Sequence, residues 1–223
     1  MSNYKYPTPQ LLLKAICNAI RAKTGSTDKI AHQNIPDELD SIIAKEEECE
    51  IAVRELSNII YGSEVKVLDS KYILNIAGYK FYGSGLTTIN LPECTSIGEY
   101  AFQYCTSLTT VNLPKCTSIG GYAFYSCTNL TTVDLPKCTS IRSYTFSSCT
   151  NLTTVILSNN QVVTLMHPSA FSNSAISRRT GYIYVPDNLV DSYKTATNWS
   201  TYASQIKPLS ELPSNLKEEY GYV

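Results

Sequence analysis

The chain has 223 residues, a formal net charge of −1 and only 17% charged residues. That length holds one sizeable domain or two small ones, and a near-neutral surface offers nucleic acid and anionic lipid little to be drawn to. No stretch is long and apolar enough to span a membrane, so no membrane insertion is expected.

Residues 1–62 read as a helical module. Thr8 suits an N-cap with Pro9 at the first helical position. Leu12, Leu13, Ile16, Ala19 and Ile20 then recur at helical spacing, and Gly25 ends the run. A second helix is expected from Pro36. Its Leu39, Ile42, Cys49, Val53, Leu56 and Ile60 sit close to a seven-residue repeat. Two readings follow: a hairpin packed on itself or on the next domain, or a short coiled coil that makes homo-oligomers.

Residues 63–174 repeat with a period of 22, in units that begin at Leu86, Leu108, Leu130 and Leu152. Three units are nearly identical: "LTTINLPECTSIGEYAFQYCTS", "LTTVNLPKCTSIGGYAFYSCTN" and "LTTVDLPKCTSIRSYTFSSCTN". The fourth, "LTTVILSNNQVVTLMHPSAFSN", loses both cysteines, and its Leu-to-Phe distance is 19 residues instead of 16. Upstream, "IAGYKFYGSG" at 76–85 reads as a decayed half unit. A period near 22 with Leu-x-x-[Ile/Val]-x-Leu is leucine-rich-repeat spacing. Leu86, Ile89 and Leu91 then point into the coil, Thr88 and Asn90 point out, and Pro92 turns the chain. Ile97, Ala101 and Phe102 close the other side. Leu86, Leu108, Leu130 and Leu152, with Phe102, Phe124 and Phe146, are the expected core. One coil alone buries too little and is stable only when stacked.

Residues 175–223 read as a C-terminal cap. An alternating strand is expected over Tyr182–Val185, then Pro186 and a helix from Asp187 with Leu189, Val190 and Tyr193 on its apolar face. Trp199, Tyr202 and Ile206 are placed on a following turn or helix. The tail after Pro208 is expected to be loosely ordered.

Cys94, Cys105, Cys116, Cys127, Cys138 and Cys149 follow one another every 11 residues. Structural zinc needs ligands that converge, usually from close pairs, whereas this spacing gives two parallel columns. Disulfides between stacked neighbours satisfy the distance but fit the dihedral poorly. The reading that remains is small buried thiols filling the turns of the coil. No metal or other cofactor is expected.

Two further columns concern binding. Thr88, Thr110 and Thr132, with Asn90, Asn112 and Asp134, alternate outward along the strands. A flat Thr ladder can bind ice or a polysaccharide, although strand propensity alone also accounts for it. Tyr100, Tyr122 and Tyr144 form an aromatic column with Tyr104 and Tyr125 nearby. Tyrosine is enriched in binding surfaces, and a tyrosine face packs well on a sugar; covering of the repeat core is the competing reading. Catalysis finds no motif. The two histidines, His32 and His167, have neither Gly-x-Ser-x-Gly nor His-Glu-x-x-His around them.

The phrase "SIGxYAFxxCTxLTxVxLP", at Ser96–Pro114 and again at Ser118–Pro136, resembles the BspA-type leucine-rich repeat of bacterial surface proteins and phage or prophage proteins. "IYVPDNLVDSYKTATNWSTYASQIKPL" resembles the C-terminal unit that ends such arrays. "LLLKAICNAIRAKTGSTDKIAHQNIPDELDSI" is similar to an N-terminal module of phage tail-associated proteins. The fold expected is therefore α+β: a short right-handed leucine-rich-repeat solenoid of period 22, with an N-terminal helical module and a C-terminal strand-helix cap. The resemblance implies a non-enzymatic binding or structural protein, tail-associated or host-recognising, with a protein or glycan ligand. A cell-surface adhesin is the alternative, and an accessory to a cell-wall glycan hydrolase a more distant one. The N-terminus "MSNYKYPTPQLLLKAICNAIRAK" has a short apolar core broken by Lys14 and no small-residue cleavage site. Association with a virion, or arrival at the cell surface by another route, is therefore expected, and otherwise the cytoplasm.

Overall fold

The computed structural model describes residues 66–71 and 73–222. The helices, the seven-residue repeat, the oligomer interface and His32 expected within 1–62 lie outside the described residues.

Each coil carries two short strands. The first has β1 (Val67–Asp69) and β2 (Asn75–Ile76), and the second β3 (Thr88–Asn90) and β4 (Ser96–Ile97). β5 (Thr110–Asn112) and β6 (Ser118–Ile119) follow, then β7 (Thr132–Asp134) and β8 (Ser140–Ile141). The fifth coil has β9 (Thr154–Ile156) and β10 (Thr164–Leu165). Beyond it come β11 (Tyr182–Val185) and β12 (Ile206–Pro208). Seven strands form one parallel sheet in the order β1-β3-β5-β7-β9-β11-β12, and β10-β8-β6-β4-β2 form a second. This is a parallel-strand repeat solenoid of the leucine-rich-repeat kind with few helices.

Identical units stack identical residues. Thr88 pairs with Thr110, and Thr132 with Thr154, a step of 22 residues. Because side chains alternate along a strand, Ile89, Val111, Val133 and Val155 all enter the core, where each is 4% exposed or less. Leu86, Leu108, Leu130 and Leu152 are buried with them. Phe81, Phe102, Phe124, Phe146 and Phe171 form one stack down the centre, with ring centroids 5.0–5.7 Å apart.

All six cysteines from Cys94 to Cys149 are free and buried. Cys94, Cys116 and Cys138 each donate to a carbonyl two residues on, at Ser96, Ser118 and Ser140. Cys105, Cys127 and Cys149 instead donate to the Phe carbonyl of the preceding coil, at 3.1, 3.3 and 3.0 Å. Burial pushes the Cys94 and Cys138 thiols up to about 11 and Cys116 to about 12. They stay protonated, and among the described residues no group of three or more His, Cys, Asp or Glu could hold a metal ion.

The structure departs from the sequence reading at both ends. The half unit at 76–85 belongs to a full coil, because Val67, Leu68 and Asp69 supply its strand at a step of 21. Ile206 does not sit on a helix: it opens β12, which pairs with β11 at Ile183. The stretch after Pro208 is not loose. It makes a turn of 3-10 helix at Leu209–Glu211 and an α-helix, Ser214–Tyr220. Leu209, Leu212, Leu216, Tyr220 and Tyr222 pack over Ile156 and Tyr184 on the outer face of the first sheet.

The segment between β11 and β12 contains the helix Val190–Thr195 and the 3-10 helix Trp199–Gln205. It is fastened to the fifth coil by the polar tips of buried aromatics. The Trp199 indole donates to the Val163 carbonyl at 2.6 Å, and the Tyr193 hydroxyl accepts from the Val163 amide at 3.0 Å.

Candidate binding surface

After each of the strands β2, β4, β6 and β8 the chain reverses through a tyrosine. Tyr79, Tyr100, Tyr122 and Tyr144 all have φ of 57–59°, the left-handed region that L-residues usually avoid. Neighbouring coils hold them there. The Tyr100 amide donates to the Gly121 carbonyl at 3.0 Å and the Tyr122 amide to Ser143 at 3.2 Å, so coils remain bonded through the turn. Gly98 and Gly120 permit this approach: a Cβ on either would lie 2.5 Å from backbone of the coil before it.

The rings inherit the backbone spacing. Tyr79–Tyr100, Tyr100–Tyr122 and Tyr122–Tyr144 are stacked with centroids 4.6, 4.9 and 4.7 Å apart. That is the separation of neighbouring strands, about 4.8 Å. The column ends on His167, 6.5 Å from Tyr144. A second row, Tyr82, Tyr104 and Tyr125, runs beside it with edge-on contacts of 5.5 Å. The two rows touch at Tyr79–Tyr82 and Tyr122–Tyr125. Tyr79, Tyr82 and Tyr104 are 60%, 50% and 42% exposed, whereas Tyr100, Tyr122 and Tyr144 are half-buried by their neighbours. Desolvation, and then neighbouring tyrosines, push the Tyr100 and Tyr122 phenols above the usual value. At neutral pH they are O–H donors on a continuous aromatic face.

The outer face of the first sheet is different. The Thr87 and Thr109 hydroxyls donate to the Lys66 and Thr87 carbonyls at 2.9 and 3.0 Å, so these side chains tie coils together. Asn112 donates to Asn90 at 2.7 Å, and Asn90 to Asp69 at 2.8 Å. Thr110 and Asn112 are exposed, while Thr88, Asn90 and Thr132 are half-buried. Asp134 does not present an open surface. The Tyr222 hydroxyl donates to it at 2.8 Å, and Ser158 in turn donates to Tyr222. Desolvation raises the Asp134 carboxyl to about 6.

The sequence reading brought Tyr100, Tyr122 and Tyr144 together but missed three things. Tyr79 and His167 extend their column, and Tyr82 joins Tyr104 and Tyr125 in the second row. The decayed spacing at either end hid these residues, although "GYKFYGSG" keeps the Tyr-x-Phe phrase. His167 Nδ1 accepts from the Ser169 amide at 3.1 Å and lies 2.7 Å from the Ser169 hydroxyl. This is a capping arrangement at the start of a 3-10 turn, Pro168–Phe171. Among the described residues no carboxylate bonds this ring in the way that orients a catalytic histidine.

A model of the BspA type leucine rich repeat region matches residues 74–197, in six copies. No curated protein matches the chain. Among solved structures, the crystal structure of the T. pallidum leucine rich repeat protein (TpLRR) superposes with a TM-score of 0.51 at 23% identity. That alignment covers 72% of this chain and 84% of the other, and it supports the fold alone. A leucine rich cell surface protein from Faecalibacterium prausnitzii A2-165 aligns with a TM-score of 0.36 at 21% identity. It covers 67% of this chain and 49% of that one, too slight a likeness to argue from.

Proposed function

Since the chain belongs to the family of BspA-type leucine-rich repeat proteins, we propose that it is a non-enzymatic recognition protein whose tyrosine face binds a protein or glycan. In this reading residues 1–62 attach or oligomerise it on a phage or prophage tail. The observation that carries the binding half is the pair of tyrosine rows. Seven rings lie side by side with their hydroxyls retained, and three are more than 40% exposed. Contiguous aromatic surface of this kind is costly to leave in water and marks contact sites.

A glycan array and a panel of matrix proteins, probed with the full chain and with Tyr100→Ala, Tyr122→Ala and Tyr144→Ala combined, test it. Loss of the strongest signals in the variant is expected. Equal signals would remove the tyrosine face from the function. Light scattering on the full chain tests the oligomer: the expected mass is a multiple of the 24.7 kDa protomer, and a single protomer would end that part of the reading. Immunogold labelling tests the carrier. Label on tail particles is expected, and label confined to the cell envelope would replace the tail reading with that of a surface adhesin.

A further inference from the structure

The tyrosine column does not run out into a flat surface. The fifth coil is longer than the others: its Phe171 follows Phe146 by 25 residues, where Phe146 follows Phe124 by 22. The added length sets His167 and Pro168 ahead of the turn, and His167 becomes the last ring of the column. Beyond it the surface opens into a cleft of about 440 Å³ between this turn, the loop at 177–179 and the 3-10 helix Trp199–Gln205. That volume is in the lower part of the range for small-ligand sites, roughly 300–1,000 Å³.

The lining has a definite chemistry. Two of its side chains are basic, His167 and Arg179, and none is acidic. Its other polar groups include Ser169, Ser172, Ser177 and Thr201. The neighbouring Arg178 is tied to the carbonyls of Asn173 and Thr150. Arg179 sits in the left-handed region at φ 63°, and among the described residues its guanidinium has no hydrogen bond or ion pair. His167 Nδ1 accepts from the Ser169 amide, so the neutral ring carries its proton on Nε2 and offers it as a donor. Gln205 is 5% exposed; one end of its amide bonds Ser204 at 2.7 Å and the other bonds nothing among the described residues. A buried amide left half-paired is unfavourable unless a ligand or water completes it.

We propose that this cleft is a binding subsite for an anionic sugar. Arg179 and His167 hold its carboxylate or phosphate, Gln205 and the hydroxyls hold its ring hydroxyls, and the rest of the glycan runs along the tyrosines from His167. Only that last element rests on the binding reading above.

The test is titration of the 223-residue chain, followed by amide chemical shifts and saturation-transfer difference. The probes are methyl glucuronide, glucose 6-phosphate and methyl glucoside. Binding of at least one anionic probe about tenfold tighter than methyl glucoside is expected, with a loss of about tenfold in Arg179→Ala and in His167→Asn. Whichever anion binds tighter identifies the acid. Equal affinity for the neutral and anionic probes, or unchanged anion binding in Arg179→Ala with its spectrum intact, would overturn the subsite. The combined Tyr100, Tyr122 and Tyr144 alanine variant separates the two claims. Retained monosaccharide binding together with an unchanged glycan array would sink the tyrosine reading and leave the cleft standing.

Discussion

Two aromatic columns run side by side through the array, two residues apart in the first four coils: Tyr79 and Phe81, Tyr100 and Phe102, Tyr122 and Phe124, Tyr144 and Phe146. Their geometry is nearly the same, with centroids 4.6–4.9 Å apart in the tyrosines and 5.0–5.7 Å in the phenylalanines. Their surroundings are opposite. The phenylalanines are 2% exposed or less, while Tyr79 is 60% exposed. Stacking is therefore imposed by the strand ladder in both columns, and burial alone separates a core from a surface. The phenylalanines draw on the hydrophobic effect. The tyrosines draw mainly on ring contacts and keep a face in water.

That contrast is open to attack from its strongest point. Phe124→Ala should cost about 3–5 kcal/mol in urea denaturation, the range for a fully buried aromatic. Tyr122→Ala should cost about 1 kcal/mol, the worth of its ring contacts. Equal losses would mean the tyrosines belong to the core after all.

Asp134 gives the next largest effect and compares the covered and open parts of the outer sheet face. Its carboxyl lies at about 6 in the native protein against an ordinary 3.8, because the tail desolvates it. The native state therefore binds the proton more tightly than the unfolded one. Stability falls as pH rises from about 4 to 6, and remains lower above that window by on the order of 2 kcal/mol. Asp134→Asn should be more stable than wild type at pH 8 by about that amount and match it below pH 4. Thermal melts across the range decide it; a constant difference would deny the burial of Asp134 beneath Tyr222.

Cys116→Ala probes the inner side more gently, with an expected loss of about 1 kcal/mol for a small buried group. EDTA should leave the melting temperature alone, and a large drop would reinstate a metal. Smallest of all, Tyr122→Phe keeps the ring and should change stability by less than about 0.5 kcal/mol. A larger loss would show that the hydroxyl, not the ring, sustains the outer column.

The inner column was legible in the sequence because three units differ in so few residues that Leu86, Ile89 and Phe102 declare the register for all of them. The ends were harder, for physical reasons. Val67–Asp69 is one strand of three residues, without the Leu-Pro that follows β3, β5 and β7, and it owes its place to pairing with Thr88–Asn90. The tail carried a signal that spacing alone does not interpret. Leu209, Leu212, Leu216 and Tyr220 recur every three or four residues, and Ile156 stands where Asn90, Asn112 and Asp134 stand in earlier coils. An apolar residue at an outward position calls for a cover, and the tail supplies it. The tyrosine column was readable as a repeat, but its left-handed turns were not, since a bulky aromatic gives no hint of positive φ. The cleft beside His167 is assembled from three segments that meet only in the fold.

The 22-residue pairing step shared by the middle coils has a consequence for how such a protein changes length. If residues 108–129 were removed, Asn90 would face Asp134 directly, and Glu93 would meet Lys137 in place of the Lys115 it now holds at 2.6 Å. Both ends would keep their contacts, and the array would shorten by one strand spacing, about 4.8 Å. Near-identical units are also the segments most readily gained or lost when a gene recombines with itself. The array behaves as a ruler with interchangeable divisions, on which reach can be reset without redesigning what stands at either end.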